Sequence, residues 1–541
     1  MERTMRMVLP FTKLRSALAG ALLAATALVA PAEAQQAQRP IRLVLNVGLQ
    51  VLDPIAGPSF VTRNFAYMVF DTLVSMDSQG RFRPQMLDNW RTSDDGLTWT
   101  FTLRDGLEFS DGAPVTAEDC VASLRRWGQR DSLGRRLMAA TQEMRVVDAK
   151  TFVLQLSRPF GLVLEALGKP SVQVPFIMPA RIAANTPPTT PVTEVVGSGP
   201  FLFLRDQWIP GERTVFVRNP RYRPRDEPAD GLAGGKVPRA ERVEFINMGD
   251  PGLRAAAIQA GEVDYLEYAP IDYIRNFQRN RNLVLSRARG GAEIAGGLSI
   301  NHRQPPFDNV QVRRAVQQIM SRADIIAAEG VPPEFSQPDC QSVYVCGTFY
   351  ASETGTEPMR TTSIERAREL LRQSGYNGER VVFLQPGDSA LINPIGLVMI
   401  DRLRQAGFNL DVQTSDWSSH ASRWIQHRPL DQGGWSLIPV IYTGFDLGNP
   451  LTNPGIGYNC TGNQPWGYCN EAMTPVIERF EREANAERRR EIAGELQRMS
   501  IEQANFPISG QFASAAVWRA ELRGVIDFGF PVMWNLERAA R

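Results

Sequence analysis

Asp94-Asp95-Gly96-Leu97-Thr98-Trp99-Thr100-Phe101-Thr102-Leu103-Arg104-Asp105-Gly106-Leu107-Glu108-Phe109-Ser110-Asp111-Gly112-Ala113-Pro114-Val115-Thr116-Ala117-Glu118-Asp119 is the stretch on which the fold turns. Trp99, Phe101 and Leu103 alternate with Thr98, Thr100 and Thr102, the period of a half-buried strand rich in aromatic and β-branched residues. Asp-Gly pairs begin at Asp95, Asp105 and Asp111, and each readily supplies the positive φ of a tight turn. Thr116 offers its hydroxyl as a helix N-cap, and Asp119, three residues on, makes an imperfect capping box. The reading is strand, turn, short strand, turn and a capped helix running toward Gly128.

Outward from this block, residues 41–46 (Ile-Arg-Leu-Val-Leu-Asn) read as a first strand broken by Leu52-Asp53-Pro54. Residues 63–71 read as an amphipathic helix leading into Leu73-Val74, and residues 146–156 as a further hairpin arm. The later part of the chain has βαβ grammar. Ile364, Ala367, Leu370 and Leu371 make a helix stopped by Gly375; residues 381–384 make a strand; residues 394–406 make a helix ended by Gly407; Leu410 and Val412 begin the next strand. Met473, Val476, Ile477 and Phe480 form the buried face of one more helix.

The opening stretch resembles the signature of the solute-binding proteins of peptide-type ABC importers, extracellular solute-binding protein family 5. Three further segments resemble the same family: Gly197-Ser198-Gly199-Pro200-Phe201, Gly261-Glu262-Val263-Asp264, and Pro306-Phe307-Asp308-Asn309-Val310-Gln311-Val312-Arg313-Arg314-Ala315. The resemblance implies an α/β fold of the periplasmic binding protein-like type II class, with two hinged lobes of mixed sheets and an accessory subdomain in the first lobe. The implied layout is lobe I over residues 35–62 and 181–297, the accessory subdomain over 63–180, lobe II over 298–510, and a return to lobe I over 511–541. It also implies capture of a small molecule or peptide between the lobes and delivery to an ABC permease in the cytoplasmic membrane.

Within that family Gly433-Gly434-Trp435 resembles a Gly-Trp whose indole lines the ligand cleft, which makes Trp435 the first expected contact and Trp417 the second. Peptide binders place a carboxylate shortly after this Trp to pair with the α-amino group. Here Ser436-Leu437-Ile438-Pro439-Val440-Ile441-Tyr442 intervenes and the first carboxylate is Asp446, so Asp446 and Tyr442 complete the expected ligand set provided the chain between brings them to the site. Without such a carboxylate an amine-anchored peptide forfeits about 1.5–3 kcal/mol.

The first 34 residues read as a cleaved export signal. Arg3, Arg6, Lys13 and Arg15 precede an apolar run, and Ala32-Glu33-Ala34 forms a small-x-small cleavage site. No Cys stands at that site, so the expectation is a periplasmic protein that is not a lipoprotein. Losing the signal removes four basic and two acidic residues and moves the formal charge from +1 to −1. A balance so close to neutral gives no footprint for nucleic acid. Five cysteines in an exported chain invite pairing. Cys340 with Cys346 and Cys460 with Cys469 are the economical local bridges, a zinc site being the competing reading, and Cys120 is left as a buried thiol. Gly231-Leu232-Ala233-Gly234-Gly235-Lys236-Val237 mimics a phosphate loop with the wrong spacing, and no hydrolase motif is present. The expectation is a monomer with no cofactor, no metal and no enzymatic activity. A secreted hydrolase, a periplasmic chaperone or sensor partner, and a binder of opines, sugars or metal chelates stand as the alternatives.

Overall fold

The strand Thr98–Leu103 buries Phe101 and Leu103 completely or nearly so, and Gly96, Gly106 and Gly112 take φ of 70°, 73° and 87° at the three turns. The computed structural model describes residues 39–57, 59–460, 466–513 and 515–539. The export signal expected over residues 1–34 lies outside them. The helix Ala117–Trp127 carries a complete capping box: the Thr116 N–H donates to Asp119 Oδ2 at 2.8 Å, and the Asp119 N–H donates back to Thr116 Oγ at 3.5 Å. Around this block Leu87–Thr92, Thr98–Leu103, Thr151–Leu156 and Thr141–Val146 form a four-stranded antiparallel sheet in that order.

Two larger sheets define the lobes. The first has seven strands in the order Leu283–Leu285, Val517–Arg519, Tyr265–Leu266, Ile41–Leu45, Arg242–Asn247, Arg213–Arg218 and Phe201–Phe203. Ile41–Leu45 pairs parallel to both of its neighbours, so it is buried on both faces and reads as a near-continuous apolar run. The second has six strands in the order Ser336–Gln337, Ile508–Phe512, Ile294–Ile300, Leu437–Thr443, Arg380–Pro386 and Asn409–Ser415. Its βαβ unit is the expected one: Arg380–Pro386 runs parallel to Asn409–Ser415 through the helix Asn393–Ala406, which stops at Gly407 with φ 100°. The chain leaves the first sheet after Leu285, joins the second at Ile294, and returns between Phe512 and Val517. Two mixed sheets joined by two crossings make the α/β two-lobed fold implied by the sequence.

Close backbone approach explains one glycine pair. A Cβ on Gly197 would sit 1.9 Å from the Val69 carbonyl oxygen, and one on Gly199 would sit 2.6 Å from the Val69 carbonyl carbon, so the strand Phe201–Phe203 docks against the helix end only without side chains there. Cys340–Cys346 and Cys460–Cys469 are both disulfides, and Cys120 is a buried free thiol. With their sulfurs joined, neither pair has thiolates to offer zinc. No helix among the described residues is long and apolar enough to cross a membrane.

Candidate functional site

The helix Phe60–Val69 begins three residues earlier than the sequence pattern indicates and is buried from Val61 to Val69, so it is not amphipathic. Aromatic rings enclose it: Phe65 meets Phe203 and Phe216, and Tyr67 meets Phe176, Phe530 and Trp534. Its polar residues are therefore inside the protein. Arg63 is 2 % exposed. Its Nε and Nη2 donate to Asn64 Oδ1 at 3.2 and 2.9 Å, and Asn64 Nδ2 donates onward to Glu267 at 2.7 Å. Glu267 also accepts the Asn46 N–H at 2.9 Å. The guanidinium lies 3.9 Å over the Phe530 ring and 5.1 Å over Phe60, while Nη1 has no hydrogen-bond partner. Burial pulls the Arg63 pKa below its ordinary value, against the opposing fields of Tyr268, Glu267, Tyr67 and Asp446.

Across the seam, the strand Leu437–Thr443 delivers Asp446. The intervening run is a regular strand of seven residues rather than a loop, and it ends in the single turn Gly444–Leu447. Thr443 caps that turn: its hydroxyl and N–H donate to Asp446 Oδ2 at 2.6 and 3.3 Å. The other oxygen, Oδ1, accepts from the hydroxyl of Ser171, a residue of the first lobe's side. Tyr442 and Tyr458 are half-buried beside it, and burial pushes both phenols up, with Asp446 adding to the shift. Tyr268 is half-buried on the first lobe and feels both Arg63 and Asp446. A cation from one lobe and a carboxylate from the other thus both act on Tyr268.

The expected aromatic contacts divide. Trp417 begins the helix Trp417–Trp424, its N–H held by Asp388 at 2.8 Å. Its ring meets Trp424, which stacks on Trp466 at 5.5 Å, which in turn meets Tyr458 edge-on at 5.8 Å. Trp417 therefore stands at the end of an aromatic row leading to Asp446. Trp435 differs from its expected role. It is fully buried, and it precedes the strand whose other end carries Tyr442, about 23 Å away at 3.3 Å per residue. No surface of Trp435 is open to a solute in this conformation. Arg63, Tyr268, Trp424, Tyr458 and Trp466 went unpredicted. The one visible signal was an arginine in the otherwise apolar run Phe60-Val61-Thr62-Arg63-Asn64-Phe65-Ala66-Tyr67.

A cavity of about 940 Å³ lies alongside, lined by Glu165, Lys169, Tyr350, Arg489 and Phe528 and by Gly444 and Phe445 of the turn that carries Asp446, though neither Arg63 nor Asp446 borders it. Several of its charges are paired: Arg489 with Glu165 at 3.0 Å, Lys169 with Asp131, and Asp77 with Arg81 and Arg83, whereas Arg490 is exposed at its wall. Recognition of a polar solute needs polar groups placed to meet it as well as volume, and Asp446 is such a group.

Fold and seam together define a two-lobed solute-binding protein. The family profile of the bacterial extracellular solute-binding proteins, family 5 (middle), matches residues 81–464, and the chain belongs to this family. It is 34% identical over 527 residues to the probable peptide ABC transporter periplasmic-binding protein y4tO of Sinorhizobium fredii, covering 96% of this chain and 97% of that one. Among solved structures it is similar to the periplasmic binding protein AgaA of A. tumefaciens R10 in complex with agropinic acid (TM-score 0.76, 19% identity, 93% of this chain and 99% of that one). It is equally similar in fold to the dipeptide-binding protein of Pseudoalteromonas sp. SM9913 in complex with Met-Leu (TM-score 0.76, 17% identity, 92% and 100%).

Proposed function

We propose that the protein captures a small amine-bearing solute, a peptide or peptide-like molecule, at the seam and presents it to an ABC permease. The observation that carries this reading is Asp446. Its carboxylate accepts from Ser171 and Thr443, three donors for roughly four acceptor positions, and so keeps capacity for an ammonium group. Tyr442 and the row Trp417–Trp424–Trp466 supply flat apolar surface beside it. The 34%-identical relative named as a peptide-transporter component and the structural relative holding Met-Leu support the peptide class. The structural relative holding agropinic acid keeps opine-like solutes within the same chemistry.

The lobe boundaries given by the sequence, export to the periplasm by a cleaved signal without a lipid anchor, a monomeric state and the absence of catalysis belong to this reading. Thermal denaturation of the mature chain with dipeptides and opines tests it. A solute at a hundred times its dissociation constant adds about 2.7 kcal/mol, and should be recovered unchanged. Turnover of the stabilising solute, or no stabilisation by any amine-bearing member, contradicts it.

A further inference from the structure

We propose that two carboxylates, Glu165 and Glu481, form a reciprocal clasp that holds the two lobes shut, and that the clasp does so without help from a solute. The inference goes beyond the capture reading and stands whichever solute is bound.

Glu165 lies on the helix Val163–Gly168, in the excursion the chain makes between strands of the seven-stranded sheet. Its partners come from excursions between strands of the six-stranded sheet. Arg489 Nη2 donates to it at 3.0 Å, Asn449 Nδ2 at 2.8 Å and the Tyr350 hydroxyl at 3.1 Å. Glu481 is the mirror case. It lies on the helix Thr474–Arg482 of the second lobe, and it receives Arg136 and, at 3.2 Å, Arg158, which flank residues 141–156 of the four-stranded sheet. Each lobe thus offers a carboxylate to the arginines of the other. The buried pairs Arg126–Asp53 and Lys236–Asp71, by contrast, stay within the first lobe.

A buried ion pair is net favourable only when hydrogen bonds satisfy what the pair leaves over. Every side-chain nitrogen of Arg489 is used: Nε donates to the Tyr350 hydroxyl, Nη1 to the carbonyls of Gly161, Glu483 and Ala484, and Nη2 to Glu165. Backbone meets backbone at the same place, the Gly161 N–H donating to the Glu481 carbonyl at 2.7 Å. A Cβ on Gly161 would sit 2.0 Å from the Glu483 carbonyl oxygen, so the lobes meet here only because residue 161 has no side chain. Protein atoms alone complete these contacts, and no solute is needed to close them. The chain itself joins the two large sheets by two crossings, a connection that can hinge, and the clasp adds a third, non-covalent join. Glu165, Tyr350, Asn449 and Arg489 also line the 940 Å³ cavity, so opening the clasp opens that cavity's wall.

Small-angle X-ray scattering of the mature chain tests the clasp, after any solute is stripped by unfolding in guanidinium and refolding with the disulfides intact. The parent should scatter as the closed structure does. Gly161→Val wedges the contact apart and should shift the radius of gyration upward, marking the opened form. Glu165→Gln combined with Arg489→Met removes one whole ion pair, leaves no orphaned charge, and should shift the radius the same way. A parent already as expanded as the opened form overturns the proposal, and so does a double variant that scatters like a compact parent. Where circular dichroism shows that Gly161→Val does not fold, the parent and the double variant are each compared with the scattering of the closed structure, and the same two results overturn it.

Discussion

Three polar groups anchored in the block from Val74 to Leu156 differ from two in the region of Arg63 and Asp446. In the block, Arg126 ends on Asp53, Asp119 closes the Thr116 capping box, and Asp77 receives Arg81, Arg83 and the Gln79 N–H. At the seam, Arg63 keeps an unanswered nitrogen and Asp446 keeps acceptor capacity. Satisfied groups rigidify a frame; unsatisfied ones store affinity for a molecule not yet bound.

Substitutions at matched positions can break this contrast. Arg126→Met leaves Asp53 buried and unpaired and should cost about 3–5 kcal/mol in chemical denaturation. Arg63→Met, equally buried but without a paired carboxylate, should cost well under half of that; an equal loss would make Arg63 a structural residue. Asp446→Asn should weaken amine-bearing solutes by about one to two decades in calorimetric titration, with little effect on the unliganded fold.

Two buried carboxyls sharpen the same contrast through pH. Hydrogen bonds from Arg81, Arg83 and Gln79 overcome desolvation and hold Asp77 below its usual range. Its contribution is therefore present above the unfolded value near 4 and is lost as the pH falls through the lower folded value. Glu329, whose oxygens have no partner, is pushed by burial up to about 8. Unfolding releases its proton between about pH 4.5 and 8, so stability falls as the pH rises through that window. Glu329→Gln should consequently stabilise the protein at pH 8 and be close to neutral at pH 4, whereas Asp77→Asn should destabilise it at pH 7 and converge with the parent near pH 2. Melting curves across this range check both slopes. The smallest effect is expected at Thr116→Ala, about 1 kcal/mol, the ordinary worth of an N-cap.

Local grammar made the frame legible. Alternation in Thr98–Leu103, the Asp-Gly turns, the Thr116 cap and the helices ended by Gly375 and Gly407 are decided within a few residues, and the structure follows them. The seam was legible only in part. Asp446 and Tyr442 come together with Tyr458, but Trp435 lies in the core at the far end of its strand, because a shared dipeptide does not reveal how many residues of strand follow it. Arg63 escaped notice because its meaning depends on Asn64, Glu267 and Phe530, which lie up to several hundred residues away in the chain. Periodicity can show that such a helix exists, but not that both its faces are buried.

The central claim is that the solute is anchored at Asp446 rather than held wholly within the cavity beside Phe528. A crystal structure of the mature chain with its best-stabilising dipeptide tests this most directly. The account predicts density for the solute at Asp446, with its ammonium end on the carboxylate. Density confined to the cavity lined by Glu165, Arg489 and Phe528, with no contact to Asp446, would contradict it.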